Sequence, residues 1–490
     1  MKKLWNCKYR DWFIKITLLF VMAGMVFFSI SAGIDEKTPV WKAAPPNPEF
    51  VHWMQNRPIE SAGGEWTIDG HPLGHIPAPV NVEYFWTDPA NLIEADTLLA
   101  KYDLRMKNKL TEVRDQSSCG SCWAFATFSS LESVLMPKQE QDFSEEQLME
   151  EHGLKGGPCD GGNFYMSLAY LNRWDGPVNE TDVPYEYLAP DGAPDIKKHI
   201  QDVIFIPPKN NDLNNNGLKN AVKKYGAVYV SMYYDGNCFN NATNAYYNSD
   251  SKKGGHAVAM VGWDDSYSRN NFNNIPSKNG AFIVRNSWGK NWGDGGYFYV
   301  SYCDNYFARR GFSMVFKKAE VTSNYSHIYN YDYSGWVSNI GWGGETAWMA
   351  NIFTAEADED LMSVSFYAPG ITNKYVVYVY TGVSDNQPRS GVQAAKKSGK
   401  LKDPGYYTIK LRKKKVALTN GQQFSIVLKL TTEGTDYPLA IEDRVKGYTK
   451  KKNTKSKKGQ SFISANGTSW ADICTAWAAN SNVCLKAFTK

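Results

Sequence analysis

Residues 116–126 read Gln-Ser-Ser-Cys-Gly-Ser-Cys-Trp-Ala-Phe-Ala, and this stretch decides how the rest of the chain is interpreted. A Gly/Ser turn gives way here to a helix-forming run that continues through Leu135, which places Cys122 at the start of a helix. Unpaired backbone N–H groups and the positive end of the helix dipole favour a thiolate there. A lone cysteine at a helix start is more often structural, so the case for Cys122 as a nucleophile depends on its surroundings.

These surroundings resemble the papain-family cysteine peptidases, whose nucleophile lies in a Cys-Gly-Ser-Cys-Trp signature and whose histidine follows roughly 130–150 residues later. His256 lies at that separation, although taken alone it would more often be a core histidine, and Asn286 follows in Arg-Asn-Ser-Trp. The resemblance implies that His256 is the base, that Asn286 orients its imidazole, and that Trp288 shields their hydrogen bond. It also implies that the Gln116 amide and the Cys122 N–H bind the oxyanion.

A second stretch, residues 156–162, reads Gly-Gly-Pro-Cys-Asp-Gly-Gly and matches the same family. By this resemblance Cys159 forms a disulfide with Cys119 that fixes the cleft wall. Gly161 and Gly162 let a substrate strand approach and pair with the backbone at Gly162. The alternative is an ordinary tight turn, and both interpretations can hold together.

The cysteine count predicts that one thiol of the exported chain stays unpaired within it. The chain has eight cysteines, and removal of a leader that carries Cys7 leaves seven, an odd number. In an oxidising compartment the unpaired cysteine either links two chains or stays free for chemistry. Beyond the family disulfide, the expected pairs are Cys238 with Cys303 and Cys474 with Cys484, without support from the family pattern.

The N-terminus predicts export. A basic flank precedes an uncharged apolar run, and small residues follow it, so residues 1–32 are interpreted as a signal peptide, with an uncleaved anchor as the alternative. Residues 33–97 are rich in proline and favour extended chain. They are interpreted as a pro-segment or N-terminal arm that occupies the cleft, against the alternative of a simple tether.

The fold class follows from these motifs and from the C-terminal pattern. The resemblance implies an α+β papain-like peptidase of two lobes, one helical and one a β-barrel, over residues 98–320. Residues 321–490 show short alternating apolar runs separated by turn residues, which predicts an antiparallel β-sandwich. Residues 349–355, 380–382 and 459–464 resemble the lectin-like domain that follows a papain-like unit in bacterial and archaeal surface peptidases.

Charge is distributed unevenly over the 490 residues. The net charge of +4 is too small for a protein built to neutralise nucleic acid. Residues 321–490 carry 22 basic and 13 acidic side chains, whereas residues 1–320 carry 32 and 37. A lysine-rich loop over residues 446–458 is a candidate for contact with an anionic wall polymer, although such a run is more often a solvated loop.

These features predict a secreted or cell-surface cysteine endopeptidase that forms a thioester acyl-enzyme on Cys122 and cleaves proteins or peptides. Residues 321–490 would attach it to the cell surface, through a wall polymer or glycan. No metal, cofactor or nucleic acid is expected. Two alternatives stay open: a surface adhesin whose peptidase serves only self-processing, and an exopeptidase.

Overall fold

The computed structural model describes residues 40–56, 65–85, 98–186, 193–209, 215–411 and 415–490. The predicted signal peptide, residues 1–32, lies outside the described residues, as does part of the predicted arm. Within the described ranges, no helix combines the length and apolar character needed to cross a membrane.

The helices are few and mostly short. In the described residues they are α1 (Pro48–Asn56), α2 (Cys122–Leu135), α3 (Glu145–Glu151), α4 (Phe164–Asn172), α5 (Asn216–Lys224) and α6 (Ile473–Ala476).

Strands make up most of the regular structure. They are β1 (Lys42–Ala43), β2 (Lys101–Asp103), β3 (His199–Ile206), β4 (Val228–Tyr233), β5 (Phe239–Asn240), β6 (Ala245–Tyr246), β7 (Gly255–Asp264), β8 (Ala281–Arg285), β9 (Tyr297–Ser301), β10 (Ser313–Glu320), β11 (His327–Tyr329), β12 (Ser338–Gly341), β13 (Thr346–Thr354), β14 (Glu359–Ala368), β15 (Asn373–Thr381), β16 (Val392–Leu401), β17 (Gly405–Lys410), β18 (Val416–Leu418), β19 (Gln423–Thr432), β20 (Leu439–Glu442), β21 (Ser461–Ser464), β22 (Ala471–Asp472), β23 (Asn482–Val483) and β24 (Leu485–Thr489).

Helix α2 is the central helix of the peptidase region. Its side chains are buried on almost every side, among them Trp123, Phe128 and Leu131. A helix that is apolar all round must lie inside a core, and α2 packs between α3 and α4 and the sheet strands β4, β7 and β10. Each of these large side chains contributes about 1.5–3 kcal/mol by leaving water. The start of the helix, and with it Cys122, is therefore held rigidly.

The β-lobe differs from the expected barrel. The strand path β5-β6-β9-β8-β7-β4-β10-β3 does not return to its start but continues from β3 to β17 and then to β14, β24 and β11. Because β17 takes the free edge of β3, the sheet in the described residues extends into the C-terminal region instead of closing. The prediction of a β-barrel lobe was wrong in this respect, while the α+β papain-like class is confirmed.

The described residues of the C-terminal region form mostly strands, with α6 and a 3-10 turn at Thr322–Asn324 as exceptions. Six strands in the order β16-β15-β19-β13-β21-β22 form one sheet. Along β13 the side chains alternate, so that Met349 enters the core with Leu428 while Trp348 lies on the other face. That core is shared with Val364 and Phe366 of β14, which confirms the expected packing of one sheet on another.

The peptidase and C-terminal regions meet across the pairing of β3 with β17, where Ile204 lies opposite Gly405 and Val203 opposite Tyr406. Beside this pairing, the Asn172 amide donates to the Tyr367 hydroxyl at 3.1 Å. The two regions therefore share both a sheet and a buried polar contact.

Candidate active site

Cys122 is the first residue of α2, as the sequence predicted, and it is completely buried. The backbone N–H of Ala257 donates to its Sγ at 3.3 Å. Burial raises the pKa of the thiol to about 12, although the N–H groups of Ala257, Gly74 and Trp123 act in the opposite direction. The thiolate expected at a helix start is therefore disfavoured in this state, because desolvation outweighs the backbone donors.

His256 lies in β7 and Asn286 directly follows β8, so the pairing of these two strands brings the side chains together. The His256 Nε2 and Asn286 Oδ1 atoms are 2.8 Å apart. Because Asn286 Oδ1 also accepts from the Ser287 N–H at 2.9 Å, it is the acceptor and Nε2 carries the proton. Nδ1 has no hydrogen-bond partner among the described residues and is the basic nitrogen of the neutral ring.

The indole of Trp288 covers this pair. Its ring stacks on the His256 imidazole with centroids 4.8 Å apart and is 4% exposed. Burial lowers the pKa of His256 to about 4 despite the hydrogen bond to Asn286. Cys122 and His256 are therefore both neutral at pH 7 in this state.

Gln116 is fully buried, and its amide orientation is fixed. Its Oε1 accepts from the Ser287 hydroxyl at 2.6 Å, so its Nε2 must point the other way. That Nε2 donates to the Cys119 carbonyl at 2.8 Å and to the carbonyl of Pro72 at 3.1 Å. A peptide carbonyl from upstream in the chain thus lies on the amide predicted to bind an oxyanion.

The described part of residues 33–97, residues 40–56 and 65–85, is called the arm below, and its residues 71–76 form the cleft segment. The cleft segment pairs with the peptidase through its backbone: Gly162 N–H donates to Gly74 O at 2.8 Å, and Ile76 N–H donates to Gly162 O at 3.0 Å. On the opposite side His75 N–H donates to Gly255 O at 3.0 Å. An extended chain therefore crosses the cleft directly beside Cys122.

Both predicted glycines lie where a side chain would collide. A Cβ on Gly161 would come within 2.8 Å of the Gly74 carbonyl, and a Cβ on Gly162 would overlap the indole of Trp123. Gly74 itself lies so close to Gly120 that a Cβ there would overlap the Gly120 carbonyl. Close backbone approach is thus required on both sides of the cleft.

Cys119 and Cys159 form the predicted disulfide, with Cα atoms 4.8 Å apart. The other expected pairs were wrong, because Cys238, Cys303, Cys474 and Cys484 all have free thiols. Cys303 lies against the Ser277 hydroxyl at 3.2 Å, and Cys484 is buried beside Asp332. Each thiol has its own local environment, which residue order along the chain does not reveal.

Two contacts at the site had no signal in the sequence. The Tyr185 hydroxyl donates to the Gln116 carbonyl at 2.9 Å, and the Tyr448 hydroxyl donates to Asn163 Oδ1 at 3.2 Å. Asn163 adjoins Gly162, and its amide donates to Ile76 O at 3.3 Å. Tyr448 comes from the C-terminal region, so no local pattern could place it at the cleft.

Among the residues that the structure describes, no group of three or more His, Cys, Asp or Glu side chains could hold a metal ion.

The fold and this site define a class. Residues 98–315 match the papain family cysteine protease model, and residues 328–489 match a lectin-like domain. The chain therefore contains a papain-family cysteine protease domain followed by a lectin-like domain. Both resemblances seen in the sequence are confirmed.

One solved structure covers both domains. The cysteine protease and lectin-like domains of Cwp84, a surface layer associated protein of Clostridium difficile, superpose with a TM-score of 0.77 at 25% identity, over 93% of this chain and 99% of that one. A second Cwp84 structure, determined after propeptide cleavage, superposes with a TM-score of 0.70 at 27% identity, over 80% of this chain and 99% of that one.

Two curated relatives each match less than half of this chain. A viral cathepsin of Choristoneura fumiferana nuclear polyhedrosis virus is 31% identical over 41% of this chain and 58% of its own length. A cysteine protease of Blomia tropicalis is 29% identical over 42% of this chain and 61% of its own length. The chain thus spans little more than half the length of these relatives.

Proposed function

We propose that this chain is an exported cysteine endopeptidase that cleaves proteins or peptides with Cys122 as its nucleophile. One observation carries the proposal. The carbonyl oxygen of Pro72 accepts a hydrogen bond from the Gln116 side-chain amide at 3.1 Å. The same cleft holds the Cys122 thiol and the His256 imidazole, whose Nε2 is hydrogen-bonded to Asn286. The cleft thus holds an extended chain with one carbonyl at the proposed oxyanion donor.

The reaction follows from these positions. His256 Nδ1 takes the thiol proton as Cys122 Sγ attacks the substrate carbonyl, and the Gln116 amide and the Cys122 N–H stabilise the oxyanion. When the intermediate collapses, the C–N bond breaks and the imidazolium returns the proton to the leaving amine. Water, deprotonated by His256, then hydrolyses the thioester. Asn286 holds the ring in the tautomer that both steps require.

The arm is proposed to be a pro-segment that restrains this enzyme before maturation. The cleft segment fills the cleft, and the thiol it covers is neutral. One Cwp84 structure shows that protein after propeptide cleavage, which supports the same process here. A simple tether would not need to place Gly74 against Cys122.

Residues 321–490 are proposed to keep the enzyme at the cell surface by binding a glycan or an anionic wall polymer. Lectin-like domains suggest carbohydrate binding, and the similar protein Cwp84 is described as surface-layer associated. The lysine-rich loop offers mostly exposed or half-exposed side chains to such a polymer.

The test is cleavage of unfolded casein by the purified, matured protein under reducing conditions. The wild type and Cys474→Ala, which alters a thiol outside the site, should cleave equally. Cys122→Ala should lose at least about 10³-fold in rate, because no other nucleophile is activated in the cleft. If all three leave casein intact while the protein still binds cell wall, the adhesin alternative is correct.

A further inference from the structure

A cavity of about 340 Å³ opens beside the cleft segment. His75, the residue paired with Gly162, lines it from the arm, while Asn163, Phe164 and Ser231 line it from the peptidase. The cavity therefore lies between the arm and the peptidase, next to the residue that pairs with Gly162.

The acidic and basic side chains that line this cavity come from different parts of the chain. Both lining carboxylates, Glu49 and Glu83, belong to the arm. The lining cations Lys209, Arg309 and Arg310 belong to the peptidase. When the arm leaves, the acids leave with it and the cations stay.

Arg310 contacts the arm directly through Glu49. Its side chain is only 5% exposed, and its guanidinium lies 3.3 Å from the ring centroid of Tyr233. Its Nε and Nη2 donate to the Glu49 carboxylate at 2.7–3.2 Å. Its Nη1 is buried and has no hydrogen-bond partner among the described residues.

Arg310 is buried although Glu49 is half-exposed, so loss of Glu49 leaves the guanidinium without its compensating charge. Removal of Glu49 therefore leaves a fixed guanidinium at the wall of a substrate pocket. The field of Arg310 already reaches the side chain now in the cavity: burial first, and then the positive charge of Arg310, hold the pKa of His75 well below its usual value.

We propose that Arg310 makes this pocket select substrates that carry Asp or Glu at the residue that pairs with Gly162. This inference rests on the proposed peptidase function and adds its substrate class. The acidic side chain would form with the guanidinium the charge-assisted hydrogen bonds that Glu49 forms before maturation.

The experiment compares isosteric peptides on the matured enzyme. Gln and Glu are exchanged at each of the four positions on either side of the scissile bond, and kcat/KM is measured for each pair. At one of these positions, kcat/KM for the Glu peptide should exceed kcat/KM for the Gln peptide by at least about tenfold. Because each comparison is a ratio on one enzyme sample, it does not depend on how much of that sample is active.

Variants assign the preference to Arg310. Arg310→Gln should bring the Glu:Gln ratio at that position to about one, and Arg310→Lys should retain part of it. Arg269→Gln, an exposed arginine elsewhere on the peptidase, is the matched control and should keep the wild-type ratio. Thermal unfolding of each variant identifies any that fails to fold.

The possible outcomes distinguish failure of the Arg310 preference from failure of the proposed peptidase activity. Cleavage without any Glu preference, or a preference that survives in Arg310→Gln, overturns the role of Arg310 alone. Absence of cleavage of every peptide by a protein whose Cys122 is intact overturns the proposed peptidase, whatever the pocket contains.

Discussion

The peptidase has two neighbours in this chain, the arm and the lectin-like region, and they are attached by different kinds of contact. The arm contacts the cleft through backbone hydrogen bonds and the half-exposed carboxylate of Glu49, and it also buries apolar side chains such as Leu73 and Ile76 against the peptidase. The lectin-like region continues the peptidase sheet through the pairing of β3 with β17 and inserts Tyr448, which is 1% exposed. Water or a substrate chain can replace the backbone hydrogen bonds of the cleft segment, whereas neither can replace the shared sheet of the lectin-like region.

Tyr448 shows how closely the permanent neighbour approaches the site. Its carbonyl accepts from the Lys155 N–H at 2.8 Å, and its hydroxyl binds Asn163 beside Gly162. The ring of Phe50 from the arm packs edge-on against it at 5.4 Å. Tyr448 therefore packs behind the cleft wall, whereas the cleft segment of the arm lies in the cleft itself.

The largest expected effect concerns the reactivity of Cys122 with the arm in place. Burial raises the pKa of this thiol, so the protonated form dominates at neutral pH and only the thiolate reacts. In the unprocessed chain, iodoacetamide labelling should rise about tenfold per pH unit from pH 7 to 10 without a plateau. After maturation the profile should reach a plateau at lower pH. Identical profiles before and after maturation would show that the arm does not control the thiol.

Truncation of Tyr448 tests whether the lectin-like region is a permanent part of the peptidase. Tyr448→Ala removes a fully buried ring and should lower the free energy of unfolding of the matured enzyme by about 3–5 kcal/mol. Urea unfolding measures this, with Val392→Ala at an exposed residue of the lectin-like region as the control. A loss below about 1 kcal/mol would mean that the two regions are stable separately.

Gly74→Ala tests how closely the arm must fit. The new Cβ overlaps the Gly120 carbonyl, so the cleft segment must move out. Labelling of Cys122 in the unprocessed chain should become at least about 30-fold faster, equivalent to roughly 2 kcal/mol. Ile68→Ala, at an exposed arm residue, should not change the rate. Unchanged labelling of Gly74→Ala would place the segment outside the cleft in solution.

Glu49→Gln should have the smallest effect. It removes the charge that pairs with Arg310, but Glu49 is 36% exposed, so solvent screening reduces the loss to about 1 kcal/mol. Labelling of Cys122 in the unprocessed chain should become about fivefold faster, with Glu83→Gln as the matched control. A larger effect of Glu83→Gln would show that another cation of the pocket holds the arm.

Much of the site was accessible from the sequence because its signals are local. Residues 116–126 contain a turn and a helix start, so they predicted where Cys122 would lie. The family resemblance of residues 156–162 implied the partner of Cys119. The same local reasoning failed for the barrel and for Cys238, Cys303, Cys474 and Cys484. Closure of a sheet and the pairing of distant thiols depend on strands and loops that approach from elsewhere in the chain.

The sequence by itself therefore determined the papain-like and lectin-like domains, the disulfide, and the order of Cys122, His256 and Asn286. Only the tertiary structure decided the protonation of the thiol, since burial under the cleft segment outweighs the helix start that favours a thiolate. Only the tertiary structure brought Glu49 to Arg310, 261 residues away. Desolvation and long-range pairing arise from segments far apart in the chain, and no window of neighbouring residues contains them.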